Sequence, residues 1–281
     1  MSRRIFTKNT SYFFRGVAIL MVAFSHYCEF MPESGLRTFL VGMGDPGVGI
    51  FFLLSGYGLW VSYNNKKTDA KYLIRRLQSF YIPYILIASF IVIWSREPFG
   101  LKDLYVLLTG KNYWFITVLL LIYLAFFLIG RIPVKNSVLK ILFMALFVSG
   151  ISIWFWHEKY GIFWYDANWC FVVGMLIAYV EEIVVGKRSL QKEMPPTENK
   201  NGCKPFEIKD YVLCFLGKYS LYIYMLHSFV FYRFVDRFPE KLQNNGLYLL
   251  MFLAFTVSVI VSAILDWVLK RIYSIKEWRL L

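Results

Sequence analysis

SYFFRGVAILMVAFSHYCEF, residues 11–30, is apolar enough to lie in a bilayer, yet it carries Arg15 and His26. At about 100° per residue, the eleven steps between them make three turns plus roughly 20°. Both side chains therefore share one face of a helix, about 16 Å apart along its axis. An arginine and an imidazole inside a spanning segment point to a functional site by default. The plainer alternative is that Arg15 snorkels to the headgroups and His26 hydrogen-bonds to a neighbouring helix.

The rest of the chain has the same character. Of its 281 residues, 58% are hydrophobic and 20% aromatic, too apolar a balance for an ordinary soluble domain. Apolar windows of bilayer length recur from end to end, so the fold class is all-α, a polytopic transmembrane helical bundle. Eight spans are expected, at 11–30, 46–63, 72–94, 113–130, 137–156, 162–180, 211–234 and 246–269. The net charge of +13 does not signal nucleic acid, because the basic residues sit in short loops between spans. One set of loops holds Arg3, Arg4, Lys66, Lys67, Arg75, Arg76, Lys187, Arg188 and others, more than twice the number in the opposite set. The positive-inside rule then places both termini in the cytoplasm and the protein in the cell (cytoplasmic) membrane.

A basic start followed by an apolar run imitates a signal peptide, but Arg15, Ser25 and His26 interrupt the run and no small-x-small cleavage site follows. It reads as a retained first span. Residues 1–281 form one membrane domain, with one long polar loop, 181–210, linking a six-span block to a two-span block. Cys28, Cys170, Cys203 and Cys214 show neither CxxC nor secreted-framework spacing, so free thiols are expected.

Polar residues converge on one leaflet. His26, His157 and His227 all fall toward the outer side. In span two, Gly47, Ser55, Gly58 and Ser62 gather on one side of the helix. That stripe suits close helix packing, or a thin ligand passing between helices. Span seven places Ser220, Tyr224 and His227 on a common face. Span six opens with the aromatic run WYDANW at 164–169, which contains Asp166.

The arginine–x10–histidine pair, followed by FFLLSGYGL at 51–59, resembles the signature of the acyltransferase family 3 membrane proteins. IRRL at 74–77 leading to YIPY at 81–84 is similar to the start of that family's third span. YWF at 113–115 and GKYSLYIYMLH at 217–227 also match the family's pattern. Ser79 stands where the pattern has a second arginine, and members commonly show about ten spans of bilayer length.

The resemblance implies transfer of an acyl group, usually acetyl from acetyl-CoA, to a hydroxyl of a surface or lipid-linked carbohydrate. His26 would be the catalytic base. Arg15, Arg75 and Arg76 would hold the donor's phosphates. The acyl arm would run past Ser55 and Gly58, with Ser55, Tyr224 or a backbone N–H stabilising the oxyanion. His227, Asp45, Asp166 and Trp114 are the acceptor-side candidates. Acetyl-CoA enters as a substrate, and no metal or prosthetic group is expected. The expected partners are an acyl-CoA donor, a carbohydrate or glycolipid acceptor and the lipid bilayer, with no nucleic acid. A glycan or lipid flippase would call for inverted repeats and matched broken spans, neither of which is visible. The other alternative is an impaired family member acting as an assembly partner.

Overall fold

The computed structural model describes residues 4–66, 70–95, 98–134, 136–186, 208–239 and 246–275, without the side chains of 65–66, 70–77, 208–209 and 272–275. Among these residues the regular structure is helical throughout, with no strand. In chain order the helices are α1 (Lys8–Cys28), α2 (Gly35–Gly42), α3 (Gly44–Lys66), α4 (Ala70–Ser95) and α5 (Leu101–Thr109). After these come α6 (Trp114–Arg131), α7 (Ser137–His157), a 3-10 turn (Ile162–Trp164), α8 (Trp169–Val185), α9 (Ile208–Arg237) and α10 (Gly246–Ile275).

Six segments are long and apolar enough to cross a membrane: Gly35–Asn64, Gln78–Ser95, Trp114–Arg131, Ser137–His157, Ile162–Val185 and Gly246–Arg271. Large apolar side chains on their outer faces are exposed, among them Leu142, Leu146, Ile153, Phe252, Ile260 and Ile264. A surface of that kind belongs against lipid. This is a multi-pass membrane protein. The expected spans at 11–30 and 211–234 are α1 and α9, helices of 21 and 30 residues. At about 1.5 Å per residue both are long enough to cross. Their arginine, lysine, histidine and serine content keeps them out of the apolar set, and these two helices pack along one another.

Two close crossings organise the bundle. A Cβ on Gly16 of α1 would lie 2.0 Å from the Leu213 carbonyl oxygen of α9, and one on Gly217 would lie 1.8 Å from that of Tyr12. In the second crossing, a Cβ on Gly56 of α3 would lie 2.0 Å from the Phe171 oxygen of α8, and one on Gly174 would lie 2.0 Å from that of Leu53. Glycine lets the two backbones touch, which in lipid replaces hydrophobic burial as the source of helix association. Gly47 joins α3 to α1, since a Cβ there would meet the Ala18 oxygen and Val22 Cγ2, each at 2.9 Å.

Three features depart from the expected spans. α8 continues through Glu181 and Glu182 to Val185, so the helix takes up the start of the anticipated linker; residues 187–207 lie outside the described residues. α2 and α5 fall in segments expected to be loops. Each is short and leaves large apolar side chains uncovered, Leu36 and Phe39 on α2, Leu101 and Tyr105 on α5. Those faces suit a bilayer interface. Tyr81 and Tyr84, on either side of Pro83 in α4, donate to the Leu108 and Leu107 carbonyl oxygens at 2.5 and 2.6 Å. They thereby satisfy carbonyls that the end of α5 leaves open.

Candidate functional site

α1 starts at Thr7, whose side chain accepts from the Thr10 N–H, and ends with Glu29 as its C-cap. The last turn carries His26, with Glu29 directly after the turn. His26 Nδ1 lies 3.3 Å from Glu29 Oε1, and the two side chains are 41% and 44% exposed. A carboxylate only accepts hydrogen bonds, so Glu29 selects the tautomer with hydrogen on Nδ1 and leaves the Nε2 lone pair free. That is the arrangement a general base needs, with the ring oriented from behind by an acid.

His227 of α9 is the second imidazole, 5.3 Å from His26 between ring centroids and tilted 32° to it. It is only 2% exposed. Its Nδ1 lies 3.1 Å from the Ile223 carbonyl oxygen, which fixes the proton on Nδ1, and its Nε2 accepts from Ser228 Oγ at 3.0 Å. Both nitrogens are thus engaged. Of the two rings, His26 is the one whose second nitrogen has no hydrogen-bond partner among the described residues and whose side chain is exposed. Tyr27, buried beside it, donates to the His227 carbonyl oxygen at 3.3 Å and ties the end of α1 to α9.

The remaining sequence-derived residues fall into separate groups. Tyr224 stands 6.0 Å from His227 and 5.2 Å from Phe115, ring to ring, and Phe115 in turn lies 5.0 Å from Phe52 of α3. An aromatic chain therefore links α9 through α6 to α3. Asp45 and Asp166 are near enough for their charges to interact. Trp114 packs on Phe163 and Trp164 in the same turn region, at 5.4 and 6.4 Å. This group meets the His26 group where a Cβ on Gly44, next to Asp45, would lie 2.6 Å from Ser25 Oγ. His157 sits apart at the surface, 3.4 Å from Glu158. Cys28 and Cys170 are free thiols, Cys214 Sγ donates to the Asn9 carbonyl oxygen at 3.6 Å, and Cys203 lies outside the described residues.

The small-residue stripe divides. Gly47 is a packing contact, whereas a Cβ on Gly58 would meet nothing within 4 Å. Ser55 lies between these two positions and is half-buried. Arg15 is half-buried on the same helix as His26, nearer its amino-terminal end. Arg75 and Arg76 belong to α4, but their side chains lie outside the described residues.

Sequence reasoning passed over Glu29, Tyr27 and Ser228. Glu29 had a readable signal in its spacing of three from His26, whereas the roles of Tyr27 and Ser228 depend on α1 meeting α9. A family model described as an acyltransferase domain matches residues 13–193, which hold Arg15, His26 and Glu29 and end before Tyr224 and His227. No curated protein and no solved structure matches the chain.

Proposed function

Because this chain belongs to acyltransferase family 3, we propose that it is a membrane O-acetyltransferase carrying acetyl from cytoplasmic acetyl-CoA to a hydroxyl of a surface or lipid-linked carbohydrate. The observation that carries this reading is His26, accessible, held by Glu29, and about 16 Å along one helix from Arg15. A pantetheine arm is of that length, so phosphates at Arg15 and a thioester at His26 fit one donor molecule.

In this mechanism His26 Nε2 takes the proton of the acceptor hydroxyl as its oxygen attacks the thioester carbonyl. Glu29 stabilises the imidazolium that forms. The tetrahedral intermediate then collapses, the C–S bond breaks, and the imidazolium returns the proton to the departing thiolate, leaving ester and free coenzyme A. Ser55 and the open space at Gly58 accommodate the arm. Tyr224 contributes near the carbonyl, while His227 braces the His26 ring. Arg75 and Arg76 join Arg15 at the phosphates, and Asp45, Asp166 and Trp114 line the acceptor approach. The donor lies on the cytoplasmic side of the cytoplasmic membrane and the acceptor opposite.

The test is base-labile acetate on surface glycan in cells carrying wild type or His26→Ala at equal expression. Loss of acetate is expected with the variant; unchanged acetylation rejects His26 as the base.

A further inference from the structure

Before α1 begins, residues 4–6 fold back across the end of the α3/α8 pair. Glu181 of α8 is 2% exposed in its side chain, and three groups of this small region converge on it. The Ile5 N–H donates to Oε1, the Tyr57 hydroxyl donates to Oε2, and Arg4 Nη1 stands 3.7 Å from Oε2. Phe6 packs edge-on to both Phe14 and Tyr57, at 5.7 and 5.0 Å between ring centroids. Arg4 is unlike the others in one respect. Its side chain is 13% exposed, yet Nε and Nη1 are buried and have no hydrogen-bond acceptor among the described residues. The carboxylate is already satisfied by the amide and the phenol, so Arg4 balances its charge while its buried Nε and Nη1 donors stay unused. A guanidinium so placed has unspent capacity for a bidentate oxyanion, and leaving such donors unmet is costly.

This rests on the donor assignment proposed above. We propose that Arg4 is an additional phosphate ligand for the coenzyme A donor, parked on Glu181 when the donor is absent. The position suits the role. Residues 4–6 lie beside the amino-terminal half of α1, which also carries Arg15, and Phe6 packs on Phe14, the residue before Arg15. Residues 4–6 are held by the Ile5 amide hydrogen bond, the long Arg4 ion pair and contacts to Tyr57 and Phe14, while the Ile5 side chain is exposed. A phosphate offers Arg4 two hydrogen bonds in place of a long ion pair that satisfies neither Nε nor Nη1, so donor binding draws Arg4 off Glu181 and swings residues 4–6 with it.

The experiment is calorimetric titration of the detergent-purified full chain with coenzyme A and, separately, with adenosine 3′,5′-bisphosphate. Arg4→Ala is expected to weaken both about tenfold, Arg4→Lys less, and Lys8→Ala, at an exposed neighbouring charge, not at all. Arg4→Ala strands a buried carboxylate, so the pair Arg4→Met with Glu181→Gln, which removes both charges, is measured beside it with the same loss expected. Unchanged affinity in the Arg4 variants, or an equal loss in Lys8→Ala, overturns the role of Arg4 while leaving the acyltransfer reading intact. A wild-type protein that binds neither ligand overturns the donor assignment itself.

Discussion

The α1/α9 and α3/α8 pairs are built alike and differ in the side chains they carry. Each brings two backbones into contact through a pair of glycines, Gly16 with Gly217 and Gly56 with Gly174. The α3/α8 pair consists of apolar helices, and its buried acids face α3 and the start of the chain: Glu181 takes the Tyr57 hydroxyl, and Glu182 accepts from Asn64 Nδ2 at 2.6 Å. The α1/α9 pair is the more polar one. It carries Arg15, His26 and His227, with the side chains of His26 and Glu29 exposed at one end. Close backbone contact is thus a means of association in both, and neither crossing by itself marks a site. What marks the α1/α9 pair is an accessible imidazole whose other nitrogen is already committed.

The comparison is broken most severely at His26. His26→Ala should reduce acyl transfer by about 10²–10⁴-fold, the usual contribution of a positioned base, with little change in thermal stability because the side chain is partly exposed. Kinetics per folded molecule, alongside a melting curve, checks both halves. A large drop in melting temperature would instead make His26 a packing residue. Glu29→Gln comes next. It removes one charge-assisted hydrogen bond, worth about 1.5–3 kcal/mol, so kcat should fall roughly 10- to 100-fold. An unaffected kcat would mean that the His26 ring is oriented by His227 alone.

The crossings sharpen the contrast at smaller cost. Gly217→Ala and Gly56→Ala each force a Cβ into a carbonyl and should destabilise the protein by about 3 kcal/mol or somewhat less. Only Gly217→Ala should also lower turnover per folded molecule, since it shifts α9, and His227 with it, away from His26. Equal turnover in the two variants would remove the functional distinction between the pairs. Gly58→Ala should leave stability within about 0.5 kcal/mol of wild type, because the added methyl meets nothing. A large loss of stability there would show that Gly58 is a packing position like Gly47.

Much of this was legible in the chain. Apolar windows and their polar interruptions give an all-helical membrane protein, and the spacing of Arg15 and His26 places both on one face. Other features depend on contacts between distant segments. Nothing local marks Gly16 as the partner of a glycine some 200 residues away, or Glu181 as the anchor of residues 4–6. α2 and α5 escaped because eight or nine residues are too few to give a clear helical period, and Gly, Pro and charged residues around them read as loop. The stripe in α3 is visible as a run of small residues, but spacing alone does not separate Gly47, which packs, from Gly58, which does not.

The proposed mechanism divides labour along α1, with donor held at Arg15 and proton transfer at His26. It is tested most directly with purified protein in proteoliposomes, measuring donor affinity and thioester turnover for His26→Ala and Arg15→Ala together. His26→Ala is expected to bind coenzyme A as wild type does without turning over, whereas Arg15→Ala loses affinity. Turnover at the wild-type rate by His26→Ala would contradict it.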